Sequence, residues 1–339
     1  MPIESLHTHT TNSDGKLSHK EMFELSESLG VSVVAFTDHD AVLTDDAIEY
    51  LKGRNDSKAK WISGIEISAA TPKDAETIDK GSLHVVGLFV DPMNPALVEH
   101  CKKAQAARIV RMQKMVKNLQ ELGFTVSEEE CLAASGGETV GRPHIVDALK
   151  THPENQKILD NIREEMRKET EVNSEIREKY EKMMSDGEYQ YPYVLFLSHD
   201  AYKPAYVSVE YAPDLDEAAT LIRNAGGIIS LAHYFTVKKK IPLEFLRKLM
   251  GEKRIDGVET TYGLWHLEDI NAQEIENDKK TLKKYAEETG LLETGGPDAH
   301  RREDMEKYVA LTDFSARSEG MTQKILDSGK VDKKWSSFP

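Results

Sequence analysis

The sequence predicts an α/β protein, a distorted (β/α)7 TIM-like barrel interrupted by an α-helical insertion. Three observations predict it: seven short apolar runs of strand length, helical patterns after most of them, and His, Asp or Glu at the ends of at least six. Nearly continuous apolar strands separated by helices indicate a parallel sheet covered on both faces. An open doubly wound sheet would show the same rhythm. The barrel is favoured because it gathers all its strand ends around one centre.

The first run, residues 3–6, ends at His7-Thr8-His9. Two residues apart on a strand, both imidazoles point to the same side. Asp14 follows in the polar turn Asn12-Ser13-Asp14-Gly15. Ser18 and Glu21 have capping-box spacing, and Met22, Leu25 and Leu29 follow at helical spacing before Gly30 ends the helix. Residues 31–37 form the second strand and deliver Asp38, His39 and Asp40. After a helix near 44–51, residues 61–67 read as a third strand carrying Glu66, and 83–90 as a fourth carrying His84.

The rhythm breaks after Pro95. Residues 96–122 read as one amphipathic helix, followed by a shorter one near 127–134, then Gly141-Arg142-Pro143-His144. A charged helical stretch, 155–182, reads as a solvated face, and Tyr189, Tyr191 and Tyr193 follow it. No buried strand pattern occurs here, so 96–205 is read as the insertion, with 1–95 and 206–339 as the barrel. The βα rhythm then returns. A helix from Asp214 ends at Gly226-Gly227, and strands follow at 228–232, ending in His233, at 254–259, and at 290–294, before Asp298-Ala299-His300. The tail, residues 333–339, is either loose or docked.

Composition bounds the function. The 339 residues carry a net charge of −15, with 39% hydrophobic and 30% charged residues, which suits a globular protein. That charge argues against a broad nucleic-acid-binding face and leaves room for a nucleotide in a locally positive pocket. Apolar runs of strand length leave no membrane-spanning helix, and the N-terminus lacks the basic and apolar regions of a signal peptide. Two cysteines, Cys101 and Cys131, are too few for a disulfide framework. A reduced, cytoplasmic setting is expected.

Clusters of His and Asp at strand ends suit a metal site at the mouth of a sheet. In combination and order, His7-x-His9, Ser13-Asp14-Gly15, Thr37-Asp38-His39-Asp40, Gly64-x-Glu66, His84, Arg142-Pro143-His144, Ala232-His233, Gly257-Val258-Glu259 and Asp298-x-His300 resemble the PHP (polymerase and histidinol phosphatase) domain superfamily. The nearest branch resembles the bacterial 3′,5′-nucleoside bisphosphate phosphatases, some of which trim RNA from its 5′ end. The resemblance implies two to three divalent ions, held by His7, His9, Glu66 and Asp298, by Glu66, His84 and His144, and by Asp14, His39 and His300. A donor set of nitrogen and oxygen without thiolate suits Mn²⁺, Zn²⁺ or Fe²⁺. Such a cluster activates a hydroxide and clamps the attacking and leaving oxygens, so no Ser or Cys nucleophile is needed.

By the same resemblance His233, Asp38 and Asp40 are read as catalytic residues beside the metals, the aspartates by orienting imidazoles. Arg142 is placed to fork onto a phosphate, Lys203 to reach a second one, and Tyr206 to stack on a base. Structural roles stay open for His84, His144, Lys203 and Tyr206. His19, His100, His152 and His266 are expected at the surface. His199, in Ser198-His199-Asp200, is not read as a triad, because triads are defined by geometry and not adjacency. The chain departs from the family at Tyr234, Pro297 and Ala299, which changes the pocket wall but no ligand.

The expected activity is hydrolysis of a phosphomonoester on a small nucleotide or an oligonucleotide end. The alternatives are a phosphatase for another small phosphomonoester such as histidinol phosphate, a non-catalytic metal-binding module, and an amidohydrolase. Every ligand type is present, against the module, and the three-metal pattern with Arg142 stands against the amidohydrolase.

Overall fold

The computed structural model describes residues 2–54, 56–72, 74, 82–136, 139–174, 176, 177, 180, 197, 204–208, 211–238, 241–263, 272–311 and 318–338. Among them are eight strands: β1 (Ile3–Ser5), β2 (Val31–Phe36), β3 (Lys60–Ala70), β4 (Ser82–Leu88), β5 (Ile228–Leu231), β6 (Gly257–Thr261), β7 (Leu292–Gly295) and β8 (Ser318–Glu319). The helices are α1 (His19–Ser28), α2 (Asp45–Lys52), α3 (Pro95–Glu121), α4 (Glu128–Ser135), α5 (Arg142–Lys150), α6 (Asn155–Glu169), α7 (Leu215–Asn224), α8 (Tyr234–Val237), α9 (Leu243–Gly251), α10 (Ala272–Thr289), α11 (Arg302–Ala310) and α12 (Met321–Asp327).

The strands pair in the order β7-β6-β5-β4-β3-β2-β1-β8. The two ends of this sheet also meet. Leu6 donates its N–H to Gly295 O at 3.1 Å, Thr8 bridges Ala299 in parallel, and Ser318 Oγ donates to Gly295 O at 2.7 Å. Gly296 permits the approach, since a Cβ there would lie 2.6 Å from the His7 nitrogen. The sheet is a nearly closed, distorted barrel surrounded by helices, as the strand-end pattern predicts.

One strand departs from the all-parallel expectation. β4 runs antiparallel to both β3 and β5. The link between β3 and β4, residues 71–81, is shorter than the dozen or more residues a parallel crossover requires. The reversal has a consequence for the site, because the start of β4 lies where the other strands end. His84, near its start, is paired with Ser68, near the end of β3. β8, antiparallel to β1, is too short to show in the sequence. The strand expected at 254–259 begins only at Gly257, with Arg254 held beforehand in a side-chain bridge to Asp216 at 2.6 Å.

Alternation along the strands divides the core. On β2, Val34 and Phe36 pack with Met22 and Phe23 of α1, while Val33 and Ala35 join Leu6, Ile62, Val86 and Leu88. Ile65, Val85, Ile229 and Val258 pack with Ala218 and Ile222 of α7 and with Leu246 and Leu249 of α9. The tail is docked. Trp335 is buried in the cluster that holds Trp61, Ile62 bridges Ser336, and Ser337 exchanges hydrogen bonds with Trp61 at 2.9 and 3.1 Å.

The chain divides into two compact units, Met1–Lys102 with Ala212–Pro339, and Lys103–Tyr211. The second has a core of its own, including Met115, Leu119, Phe124, Cys131, Ile145, Leu149 and Leu159, and no strand occurs among its described residues. Tyr189, Tyr191, Tyr193, His199 and Lys203 lie outside the described residues, as does His266 of the first unit.

Two of the expected surface histidines are buried instead. His19 Nε2 lies 3.2 Å from Asp38 Oδ2, and His100 Nε2 lies 3.4 Å from Asp40 Oδ1. Helical periodicity did not mark either, because each buried face is set by a carboxylate from a strand end and not by an apolar stripe. His152 is half-buried beside Glu130, at 2.7 Å.

Replacing a buried tryptophan by alanine costs about 3–5 kcal/mol. Trp335→Ala is therefore expected to lower unfolding stability by roughly 3 kcal/mol, read as a lower urea midpoint at unchanged slope. An unchanged midpoint would mean that the tail contributes nothing to the fold.

Candidate metal centre

Strand ends deliver most of the site residues of the first unit. β1 runs into His7 and His9, β2 into Asp38, His39 and Asp40, and β5 into His233. Glu66 lies within β3, and Asp298 and His300 follow β7. Main-chain pairing extends past β2: His39 bridges Glu66, Asp40 N–H donates to Glu66 O at 2.8 Å, and Glu66 N–H donates to Asp38 O at 3.1 Å. The second strand end is thereby locked beside Glu66.

Around Glu66 Oε2 gather His39 Nδ1, at 2.8 Å, and two further imidazole nitrogens. His9 Nε2 lies 3.2 Å from that oxygen and His7 Nε2 3.4 Å, while Asp298 Oδ1 is 3.0 Å from His9 Nε2 and 3.4 Å from His7 Nε2. The two imidazole nitrogens are 3.2 Å apart. Donors about 2.0–2.1 Å from one tetrahedral ion are separated by about 3.3–3.4 Å. The observed spacings of 3.0–3.4 Å between these neighbours match those of donors that share an ion. Among the described residues, Glu66 Oε2, Asp298 Oδ1 and Asp14 Oδ1 are buried oxygens that accept no well-formed hydrogen bond. Each lies 3.0–3.4 Å from at least one imidazole nitrogen, so the residues fit a divalent metal.

The other oxygen of Glu66 serves a second group. Oε1 lies 3.0 Å from His84 Nδ1 and 3.1 Å from His233 Nε2, and those two nitrogens are 3.2 Å apart. A third group gathers His9, Asp14, His39 and His300, whose donor atoms all lie within 4.8 Å of one another. Asp14 Oδ1 is 3.3 Å from His300 Nε2, and the His9 and His300 rings stack at 4.3 Å.

His233 therefore stands beside Glu66 and His84. His144 lies in the second unit, buried, and its Nδ1 accepts the N–H of Gly141 at 2.9 Å at the start of α5. Arg142 is the first residue of that helix, and Tyr206 is half-buried in the same unit.

Asp38 and Asp40 each face an imidazole, His19 and His100 respectively. Asp38 accepts hydrogen bonds from Thr10 N, Thr10 Oγ1 and Ser13 Oγ at 2.7–2.8 Å, so it shapes the loop after His9. Asp40 accepts from Ser68 N at 3.1 Å and faces His100. The residue that orients a clustered imidazole is Glu259. Its Oε1 lies 2.8 Å from His7 Nδ1, and its Oε2 accepts the N–H of His233 at 2.6 Å. This carboxylate–histidine pairing fixes the ring so that Nε2 faces the cluster. Its sequence signal is the Gly257-Val258-Glu259 motif, which does not show which imidazole it faces. Tyr262, one residue past β6, went unmarked; its ring packs on His233 at 5.5 Å.

Backbone strain concentrates here. Of five described non-glycine residues with positive φ, three are Asp40 (48°), His233 (31°) and Asp298 (52°). Such conformations persist where the surroundings over-determine them, commonly at functional sites.

Burial alone would neutralise these groups, but they shift one another further. Burial works to raise Glu66, yet His39, His84 and His7 hold its carboxyl well below the usual range. Asp298 is likewise held low against burial, chiefly by His7 and His300. Burial works to lower His9, but the carboxylates of Asp298 and Glu66 outweigh it and carry its imidazole up to about 10. His84 goes the other way: burial brings it down to about 4, so it is neutral at pH 7.

The PHP domain family matches residues 5–254. The chain is 23% identical over 302 residues to a 3′,5′-nucleoside bisphosphate phosphatase of Chromobacterium violaceum, across 87% of this chain and 86% of that protein. It is 24% identical over 295 residues to a 5′-3′ exoribonuclease of Haemophilus influenzae, across 87% of this chain and 89% of that one. The fold matches that of a solved protein from Bifidobacterium adolescentis, described as a candidate metal-dependent phosphoesterase. The TM-score is 0.66 at 24% identity, over 97% of this chain and 96% of that one.

A metal-ligating imidazole must be unprotonated. Below about pH 10 the metal-free His9 carries an extra proton, so metal uptake at pH 8 has to expel it. Apparent metal affinity should rise with pH through this range, and calorimetry in buffers of differing ionisation enthalpy should show net proton release. Uptake with no proton release between pH 6 and 9 would contradict the assignment of His9.

Proposed function

The chain belongs to the PHP domain family and is a phosphoester hydrolase, and from that premise we propose that it removes phosphate from a small nucleotide of the 3′,5′-bisphosphate type or from an oligonucleotide end. The observation that carries this reading is the division of Glu66, one oxygen facing His7 and His9 and the other facing His84 and His233. Two to three divalent ions would be held by His7, His9, Glu66 and Asp298, by Glu66, His84 and His233, and by Asp14, His39 and His300. Donors of nitrogen and oxygen alone suit Mn²⁺, Zn²⁺ or Fe²⁺. Ions bound there supply Lewis-acid charge for the phosphoryl oxygens and make a nucleophile available at neutral pH.

The chain's own residues do the rest. Glu259 holds His7 in register, and the stiff pairing of His39 with Glu66 keeps the groups together. Arg142 and Lys203 belong to the segment read as the insertion, and Tyr206 directly follows it. We assign Arg142 to a substrate phosphate, Lys203 to a second one and Tyr206 to the base. The two full-length relatives, named for a nucleoside bisphosphate and for RNA, support a nucleotide over an arbitrary phosphomonoester. Among the described residues no helix is long and apolar enough to cross a membrane. Cys101 and Cys131 are both buried.

Metals alone bind any phosphomonoester, so selectivity needs a second anchor. Losing a charged hydrogen bond to phosphate costs about 1.5–3 kcal/mol, roughly tenfold to a hundredfold. With Mn²⁺ present, Arg142→Ala should lower kcat/KM by that factor for a 3′,5′-bisphosphate and leave a minimal aryl phosphate nearly unchanged. Equal losses on both would assign Arg142 to the fold or the metal centre. A wild-type enzyme that turns over no nucleotide better than the aryl phosphate would favour a small phosphomonoester such as histidinol phosphate.

A further inference from the structure

We infer that His19 is a positioning residue for the third ligand group, acting through Asp38 on the loop that presents His9 and Asp14. The inference rests on the metal reading above.

The buried carboxylate of Asp38 is saturated. A carboxylate offers about four acceptor sites. Oδ1 takes Thr10 N–H and Ser13 O–H, both at 2.7 Å, and Oδ2 takes Thr10 O–H at 2.8 Å and faces His19 Nε2 at 3.2 Å. Three of these partners lie in the loop between His9 and Asp14. The fourth comes from α1, outside it.

The loop itself is tied to the third group at three places. Ser13 Oγ lies 3.4 Å from His9 Nδ1, and Lys16 N–H donates to His300 O at 2.7 Å. Gly15 sits so close over His9 that a Cβ would lie 2.5 Å from the His9 carbonyl oxygen. A small change in loop shape therefore moves Asp14 relative to His9 and His300, while His7, Glu66, Asp298, His84 and His233 are fixed by the sheet.

His19 is not needed for its helix. Ser18 and Glu21 already cap α1 through a reciprocal box. What His19 adds is an N–H donor inside the core, its ring packed edge-on against Phe36 at 5.3 Å. Without that donor, Asp38 Oδ2 is left with Thr10 O–H alone in a buried site, and the carboxylate is free to turn away from the loop.

Mn²⁺ titration of the chelator-stripped full-length chain tests this, using wild type, His19→Leu and His19→Gln, with the thermal midpoint of each metal-free protein recorded. Glutamine carries an amide N–H near the position of Nε2, and leucine carries none. Losing a residue that orients a ligand typically weakens metal binding by about 10–100-fold. His19→Leu should lose the weakest-bound equivalent by that factor and keep the others, while His19→Gln restores it. Where His19→Leu does not fold, Ser13→Ala removes a bond from the other Asp38 oxygen and should weaken the same equivalent. Wild-type-like binding in His19→Leu, or in Ser13→Ala where that variant carries the test, overturns the inference, as does parallel weakening of every equivalent with a lower metal-free midpoint. A wild-type chain that binds no Mn²⁺ overturns the metal reading itself.

Discussion

A fully buried glutamate with an imidazole group on each oxygen is the constraint from which the rest of this structure follows. Removing a carboxylate from water is costly unless it is paired, and Glu66 is paired several times over. Its two oxygens face different histidines, at 3.0–3.4 Å, so the side chain works as a bridge between groups. Losing these contacts together would leave charge uncompensated in the core. The arrangement is stable only if several strand ends hold their positions together.

The barrel provides that. Six parallel strands bring their carboxyl ends to one mouth, and the antiparallel β4 contributes the start of its strand to the same place. Glycine at 296 lets the last strand end approach His7. Asp40, His233 and Asp298 take left-handed conformations that the surrounding pairing enforces. Glu259 ties two strand ends by holding the His7 ring and the His233 amide with one carboxylate. Membership of the PHP domain family gives this geometry its chemical sense, since phosphoryl transfer needs concentrated positive charge more than a protein nucleophile.

Much of this was legible in the sequence, for physical reasons. A period of two on a strand puts His7 and His9 on one side, and apolar runs ending in His, Asp or Glu mark strand ends that share a mouth. Direction was not legible, because antiparallel β4 has the same apolar run as a parallel strand, and only the short link at 71–81 betrays it. His233 follows a recognisable motif, but sequence order does not say that it sits beside His84. His19 read as a surface residue because helical periodicity weighs apolar stripes and misses a histidine buried by one carboxylate. Glu259 was visible as part of a motif, but its role depends on which imidazole lies opposite. The second unit showed itself through the loss of strand pattern, whereas Lys203 falls outside the described residues.

The central claim, that one carboxylate joins two ligand groups, is tested most directly by the metal content of Glu66→Gln. The change keeps the shape of the side chain and replaces one oxygen by an amide that cannot ligate. Elemental analysis of wild type and variant, purified alike and normalised to folded protein, should show at least two ions per chain lost together, against a single ion lost in Asp14→Asn. Loss of one ion or none in Glu66→Gln would contradict the bridge.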